Sequence, residues 1–414
     1  MSRKRSDFVE SVASSELLVR PQPVGVFPVP VSLLLLPPGD AEALQRLVLG
    51  DRSIVLPQPW EFYARALRGE PIDATNGFGS EPLADYNRFV LSGNAAEYER
   101  LKVELSGQLR ELLEVAAYYH GLTDLPPSGD ALDDELLALA LMMRASHWIE
   151  QEDSDRATKE LAQAVELVRN CSPIFAAQLL GQMAQLVPDG RRAVQICREA
   201  TKLMSQCLDD RLRAESWVHL GQACQAQGDR SLLFEAVKAY QQALRCGLSL
   251  GSNQDLYAVA QTNVGLAYLA MPMTEAGDHL RTGIAVQSFR EALKVYDRET
   301  SPEMWVSTQL NLANALQYMK SAHPEENLAQ AVEIYEELLS VRKRALDPLG
   351  YARLLANQAN ALAHLGVFGP AMEKATEAHK LFHWHGEPDL AETMLKLTSE
   401  INSRLSERVE TSVS

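Results

Sequence analysis

Residues 305–381 decide the fold, and they read WVSTQLNLANALQYMKSAHPEENLAQAVEIYEELLSVRKRALDPLGYARLLANQANALAHLGVFGPAMEKATEAHKL. One pattern occurs twice in this segment: a helix with a small residue on a packed face, a polar loop, and a second helix that opens on alanine. The first copy carries Ala313 and Ala331, and the second carries Ala359 and Ala371. Self-similarity at a regular spacing is typical of repeat architectures, in which each unit buries its apolar face against the next. The segment therefore predicts a repeated helical hairpin.

The two landmark residues of this pattern recur in six helical pairs. The small residue of the first helix is, in chain order, Ala145, Gly181, Gly221, Gly265, Ala313 and Ala359. The alanine near the start of the second helix is Ala157, Ala193, Ala236, Ala285, Ala331 and Ala371. The landmarks within a pair lie 12 to 20 residues apart, whereas the next pair follows after 24 to 29 residues. Because packing between pairs must repeat while a surface loop can lengthen at little entropic cost, this spacing predicts stacked hairpins.

The second helices share a further pattern. Four residues after the alanine stand Leu161, Cys197, Tyr240, Phe289, Tyr335 and Ala375, and seven residues after it stand Ala164, Ala200, Ala243, Ala292, Leu338 and Ala378. Both offsets lie on one helical face. Small residues let two backbones approach closely, and an aromatic ring fills the gap between neighbouring hairpins.

These landmarks resemble the tetratricopeptide repeat, whose pattern joins a small residue on the first helix to an Ala…Phe/Tyr…Ala series on the second. The resemblance is carried best by Trp217, Leu220, Gly221, Ala236, Tyr240 and Ala243, and by Val264, Gly265, Tyr268, Ala285, Phe289 and Ala292. It covers residues 132–385. Marker spacings of 40 to 48 residues exceed the usual repeat of about 34 and are similar to the kinesin-light-chain style. The resemblance implies a right-handed superhelix of about six hairpins. Short helices between turn signals predict a small irregular helical N-terminal domain before it, so the protein is expected to be all-α.

The chain divides into five expected regions. They are a mobile N-terminus (1–20), an N-terminal helical domain with an extended Pro-rich arm (21–125), the repeat array (132–385), a capping helix (386–405) and a mobile tail (406–414). Prolines favour extended backbone, so the Pro-rich arm, residues 21–38, is expected as an edge strand or as a segment lying over a helical surface. One long helix is predicted over Ala95–His120 from its apolar stripe, and residues 76–80 are expected to form a flexible loop.

Composition argues against several classes of partner. The chain has 414 residues, of which 46% are apolar, and a net charge of −16, so it can bury a core but repels nucleic-acid phosphates. Its longest apolar run, Val24–Leu36, is too short for a bilayer and contains Pro28 and Pro30. No signal peptide is expected at the basic start, which favours a cytoplasmic protein. The five cysteines show no metal or redox spacing and are expected to be small buried residues.

The resemblance implies that the first helices line a concave groove for a peptide or protein segment. Asparagine recurs on these helices, two residues before the small landmark in three pairs and one residue after it in the last two. An asparagine can donate to a carbonyl and accept from an N–H at once, so a row of them can hold a peptide backbone of any sequence. The expected groove residues are Asn263, Asn311, Asn314, Asn357, Asn360, Gln222, Gln317 and Arg353. The alternative is that these amides bridge or cap neighbouring helices.

The predicted function is non-catalytic: a cytoplasmic adaptor or assembly factor that binds another protein. No catalytic residue, cofactor or metal is expected, because nothing completes a metal site around the i, i+4 pair His379 and His383. Trp384 is expected to pack on the last repeat. Nucleic acid and membrane are not expected partners. Two alternatives remain open: a ligand- or peptide-sensing regulator with a pocket between the N-terminal domain and the array, and a homo-oligomer whose groove is filled by its own Pro-rich arm.

Overall fold

The computed structural model describes residues 19–72, 82–271 and 278–413. Within these ranges the chain is α-helical, and its extended pairing is limited to an isolated bridge between Ser249 and Ser252. The all-α prediction is therefore confirmed. Residues 1–18 of the predicted mobile N-terminus, the predicted loop 76–80 and the final residue of the predicted tail lie outside the described ranges. No helix in those ranges combines the length and the apolar character needed to cross a membrane.

Five α-helices precede the repeats in the described part of the chain, besides the short 3-10 helices Val31–Leu33 and Gln58–Trp60. They are α1 (Ala41–Val48), α2 (Glu61–Arg68), α3 (Leu83–Ser92), α4 (Ala95–Glu104) and α5 (Gly107–Tyr119). The prediction of one helix over Ala95–His120 is wrong, because Leu105 and Ser106 have extended backbone angles and Gly107 has a φ of +60°. Glycine adopts a positive φ without steric cost. The apolar stripe that predicted one helix therefore belongs to two.

Six helical pairs and a closing helix follow. They are α6 (Asp134–Glu150), α7 (Ser154–Val168), α8 (Pro173–Leu186), α9 (Gly190–Met204), α10 (Asp210–Ala226), α11 (Arg230–Arg245), α12 (Gln254–Ala270), α13 (Asp278–Ala292), α14 (Pro302–Tyr318), α15 (Pro324–Val341), α16 (Pro348–His364), α17 (Phe368–Trp384) and α18 (Pro388–Val413). The even-numbered helices from α6 to α16 carry the first landmark, and the odd-numbered helices from α7 to α17 carry the second. The predicted number of hairpins is confirmed.

The described helices form two compact units. The first comprises Met1–Gln227 with Arg245–Gly247, and the second comprises Gly228–Leu244 with Leu248–Ser414. Consecutive helices pack on one another from α6 to α10 in the first unit and from α12 to α18 in the second. The five regions expected from the sequence remain a prediction.

The repeat landmarks form the core, as the register predicted. The alanines that open the second helices are all buried, and Phe289 and Tyr335 have no exposed surface. In the second unit, a Cβ placed on Gly265 of α12 would lie 2.6 Å from Cε1 of Phe289 on α13. The two helices therefore approach so closely that the first landmark of this pair must be glycine.

The Pro-rich arm is part of the core of the first unit, where Leu35 and Leu36 have no exposed surface. Two side-chain amides hold these consecutive residues, each by bonding the N–H and the carbonyl of one residue. Gln22 accepts a hydrogen bond from the N–H of Leu36 at 2.9 Å and donates to its carbonyl at 3.0 Å. Asn87 of α3 accepts from the N–H of Leu35 at 2.9 Å and donates to its carbonyl at 2.8 Å. The amides thus satisfy backbone groups that a neighbouring β-strand would otherwise satisfy.

The arm lies over the first helices of the first two pairs. Gln178 of α8 donates its Nε2 to the carbonyl of Val26 at 3.2 Å. Arg20, just before the arm, forms an ion pair with the buried Glu135 of α6, which also accepts from the N–H of Gln22 at 3.1 Å. Of the two arrangements expected for the arm, the segment over a helical surface is the one observed. The prediction of extended backbone throughout is wrong, because Val31–Leu33 form a short 3-10 helix.

Trp384 does not pack on the last repeat, so that prediction is wrong. It is the last residue of α17 and is 84% exposed. Phe382, two residues earlier, is buried. Because two residues correspond to about 200° around a helix, the side chain of Trp384 leaves from the face opposite that of Phe382.

Candidate functional site

Three helices of the second unit bring predicted groove residues together. Asn314 on α14 accepts a hydrogen bond at its Oδ1 from Nδ2 of Asn357 on α16, at 3.0 Å. The same oxygen accepts from the hydroxyl of Tyr335 on α15 at 2.7 Å. Asn314 therefore connects two consecutive first helices and the second helix between them.

Gln317 belongs to the same cluster, because its Oε1 lies 3.1 Å from the Tyr335 hydroxyl. Burial raises the pKa of Tyr335 well above its usual range, so the hydroxyl keeps its proton. A hydroxyl has a single proton to donate and lone pairs to accept with. The hydroxyl lies within hydrogen-bond distance of both amide oxygens, and it can donate its one proton to either of them. A single donor therefore holds the oxygens of both amides towards the tyrosine.

Two amide groups of the cluster remain available to a ligand. The Nδ2 of Asn314 and the Oδ1 of Asn357 form no hydrogen bond to any described residue, and both side chains are half-buried. One is a donor and the other an acceptor, on side chains that touch each other. This is the complement of a peptide group, which presents one carbonyl and one N–H.

The other predicted groove residues are spread more widely. Asn311 and Asn360 are half-buried on the same two first helices, and Arg353 is exposed on α16. Asn263 is half-buried on α12, while Gln222 is exposed on α10 in the first unit. The helix-bridging role considered for the amides is observed for Asn314 and Asn357. Their role in holding a peptide stays a prediction.

The role of the Tyr335 hydroxyl was not anticipated from the sequence, which predicted only an aromatic ring that fills a gap. A signal was present in the paired landmarks. Two pairs have a tyrosine, and the residue after the small landmark is Asn314 in the pair with Tyr335 and Gln222 in the pair with Tyr240. It is Leu266 in the pair that has Phe289. A hydroxyl appears where its neighbour can accept a hydrogen bond, and a plain ring appears where it cannot.

Neither a metal site nor a hydrolase motif emerges from the part of the chain that the structure describes. No three His, Cys, Asp or Glu side chains converge there, and the ring of His379 stacks on His383 with centroids 6.1 Å apart. The stretch Gly247–Gly251 matches the pattern G-x-S-x-G, which marks a nucleophile only on a strand-to-helix turn. Here its serine, Ser249, lies in a turn between two helices, bridged to Ser252.

The first unit contains a small cavity between α8, α9 and α10, with a volume of about 80 Å³. Its polar lining includes Ser216, which is 8% exposed and whose Oγ has no hydrogen-bond partner among the described residues. His219, one turn further along α10, also lines the cavity, and its ring forms no hydrogen bond within the described ranges. Two polar side chains without partners among the described residues therefore belong to the lining of one small cavity.

His219 gives the protein a testable dependence on pH. Burial lowers the pKa of its imidazole below the ordinary 6.5, and Glu215 offsets this only in part. As the pH falls, the unfolded chain takes up this proton first, so stability is full above pH 6.5 and is lost below it. We expect urea denaturation to show that stability falls less between about pH 7.5 and about pH 5 for His219→Gln than for the wild type. The reason is that the histidine of the unfolded wild type is almost fully charged at about pH 5. Equal losses in both proteins would mean that His219 is not buried as a neutral ring.

Comparison with known proteins places the fold. No protein-family model and no curated protein sequence matches the chain. A STAND signal-transduction ATPase from Pyrococcus horikoshii with a tetratricopeptide repeat sensor is similar in structure, with a TM-score of 0.50 and 12% identity over 78% of this chain. The chain spans about half of that protein, 52% of its length. The apo form of RapI gives a TM-score of 0.45 at 14% identity, covering 78% of this chain and 93% of RapI. The TPR2AB domain of yeast Sti1 gives 0.26 at 15% identity, covering 64% of this chain and 98% of that domain.

Helical hairpins packed in register make this chain an α-helical repeat protein of the solenoid class. Its hairpins are similar in fold to the tetratricopeptide repeats of the Pyrococcus horikoshii protein.

Proposed function

We propose that the protein is a non-catalytic interaction scaffold, an adaptor or assembly factor, that binds an extended segment of a partner protein along the first helices of its repeats. Repeat arrays of this kind offer long surfaces on which a segment can lie. The observation that carries the proposal is the pair Asn314 and Asn357, bonded to each other across two first helices with one donor and one acceptor left over.

The chain itself provides a precedent for this chemistry. Gln22 and Asn87 hold the extended backbone at Leu35 and Leu36 by giving one hydrogen bond and taking one from each residue. A pair of amides on neighbouring first helices offers a partner's backbone the same combination. Such binding depends on the shape of the segment and little on its side chains.

The charge of the protein favours a basic partner. A net charge of −16 attracts segments rich in lysine or arginine and speeds their association at low ionic strength. It also disfavours nucleic acid, as the composition predicted. The non-catalytic part of the proposal is supported by the site itself, since asparagine and glutamine do not titrate and Tyr335 keeps its proton. The cluster offers hydrogen bonds and no acid or base near neutral pH.

A second candidate function is a sensor of a small ligand or peptide in the first unit. It is favoured by a pocket of about 630 Å³ lined by Val29 of the arm, Tyr118 of α5, His147 of α6 and Gln182 of α8. This volume lies within the range of about 300–1,000 Å³ that is usual for ligand sites. The repeats of the similar Pyrococcus horikoshii protein are described as a sensor, which is compatible with this role.

The scaffold proposal is tested by the double variant Asn314→Ala with Asn357→Ala. Partners captured from the native cell by the full-length protein are identified by mass spectrometry, and the affinity of one captured segment is then measured. We expect the double variant to bind about tenfold or more weakly, because two to three hydrogen bonds of about 1 kcal/mol each are lost.

Tyr335→Phe is the matched control. Like the double variant, Tyr335→Phe removes a hydrogen bond from the cluster, so the two proteins should lose similar stability. It leaves the free donor of Asn314 and the free acceptor of Asn357 in place. We expect it to bind within about threefold of the wild type, since only the orientation of the amides is relaxed. If the double variant binds as tightly as the wild type, the two asparagines serve packing alone and the proposal loses its main support.

A further inference from the structure

The cavity in the first unit lies in a pair that carries no aromatic ring four residues after the alanine of its second helix. Where the fourth pair combines Gly265 with Phe289, the second pair combines Gly181 with Cys197, so both landmark positions carry a small residue. A Cβ on Gly181 would meet only Nδ1 of His219, at an ordinary 3.7 Å. No aromatic ring fills the gap between these helices, and a space of about 80 Å³ remains.

We propose that this cavity is a specificity pocket that takes a serine or threonine side chain of the bound segment. The inference rests on the proposed function and adds to it one position at which the identity of the ligand residue matters. The cavity opens on the face of α8 that carries the exposed amides Gln182 and Gln185. It thus adjoins the first helices of the first unit, on which part of a bound segment is proposed to lie.

The size of the cavity sets a first limit on its occupant. A cavity of about 150 Å³ admits benzene, and this one, at about 80 Å³, is roughly half as large. A short branched side chain fits, whereas leucine, phenylalanine, lysine and arginine do not.

The charges around the cavity set a second limit. Glu215 lines it, and its carboxylate already accepts a hydrogen bond from Nε of Arg211 at 2.9 Å. An acidic side chain would be repelled by Glu215, and a basic one would find that carboxylate engaged. A neutral occupant is therefore favoured.

The partnerless polar groups decide between the remaining neutral side chains. A hydroxyl can donate to a ring nitrogen of His219, which is neutral because burial lowers its pKa. The methyl group of a threonine would lie against the apolar part of the wall, which includes Cys197 and Met204. Valine has the same shape but would leave His219 without a partner, which costs free energy in a buried site.

The test is selection from a randomised phage-displayed peptide library on immobilised full-length protein. We expect the wild type to enrich serine and threonine over valine about fivefold at one position, the effect of a single hydrogen bond. Gly181→Leu fills the cavity and should remove this preference while other peptides are still selected. Gly181→Ala adds one methyl group at an ordinary distance and is the control that should keep it. Ser216→Ala with His219→Leu makes the wall apolar and should turn the preference towards valine.

The outcomes separate the two proposals. The specificity pocket is overturned if the selected peptides show no preference for serine or threonine, or if the preference survives in Gly181→Leu. Either result leaves the scaffold proposal intact and means that the cavity holds water only. Failure of the wild type to select any peptide overturns the scaffold and this inference together. Thermal unfolding of each variant shows whether it is folded, so a misfolded protein is not counted as a loss of preference.

Discussion

Gly265→Ala should lower the free energy of unfolding by about 2–3 kcal/mol. The new Cβ would lie 2.6 Å from Cε1 of Phe289, a ring with no exposed surface and no room to move. Glycine to alanine in the middle of a helix otherwise stabilises by about 0.5–1 kcal/mol, so the expected sign is the reverse of the usual one. Urea denaturation monitored by circular dichroism measures the difference.

Gly181→Ala is the matched control at the same landmark of another pair. Its Cβ would meet only Nδ1 of His219, at 3.7 Å, so this variant should be as stable as the wild type or slightly more stable. Combining Gly265→Ala with Phe289→Leu removes the ring that causes the clash and should recover part of the loss. If Gly265→Ala alone is as stable as the wild type, the two helices are free to move apart and the landmark does not require glycine.

These two glycines show what the sequence could predict and what it could not. The recurrence of small residues in six pairs, with an aromatic ring in three of them, predicted the hairpins, their register and the burial of Phe289, because close helix packing requires a small residue opposite a large one. The same reasoning treated Gly181 as one more close contact. Only the distances show that a glycine opposite Cys197 leaves a cavity.

The candidate site was predictable in part for the same reason. Periodicity placed Asn314 and Asn357 at aligned positions of consecutive first helices, and the structure joins them by a hydrogen bond of 3.0 Å. Periodicity says nothing about which side-chain atom meets which. The spacing of residues could not predict that the Tyr335 hydroxyl lies between two amides. It also could not predict that Gln222 belongs to the first unit and the two asparagines to the second.

The Pro-rich arm marks the limit of sequence reasoning. Its prolines predicted an extended segment, but its burial depends on contacts far apart in the chain. Asn87 and Leu35 are 52 residues apart, and Gln178 and Val26 are 152 residues apart. No local pattern connects such residues, because helical periodicity describes one element at a time.

Asn87→Leu should lower the free energy of unfolding by about 3 kcal/mol or more, since a buried N–H and a buried C=O would each lose a partner at about 1–3 kcal/mol. Asn87 has no exposed surface, and its amide supplies both hydrogen bonds of Leu35. Leucine keeps the branched shape of asparagine and is no smaller, so the variant removes the hydrogen bonds without creating a cavity. Urea denaturation of the full chain gives the value, and binding of a hydrophobic dye reports whether the arm is released.

Gln22→Leu is the companion variant, because Gln22 holds Leu36 by the same two bonds. If the arm leaves the core as one piece, the double variant should cost little more than the larger single loss, whereas two independent clamps would give additive losses. The measured cost also bears on the proposed binding of a partner. A loss below about 0.5 kcal/mol for Asn87→Leu would show that an amide gains little by holding both groups of an extended residue, even where burial makes such bonds strongest. The half-exposed pair Asn314 and Asn357 would then be too weak to capture a peptide by its backbone, and the proposed function would need another source of affinity.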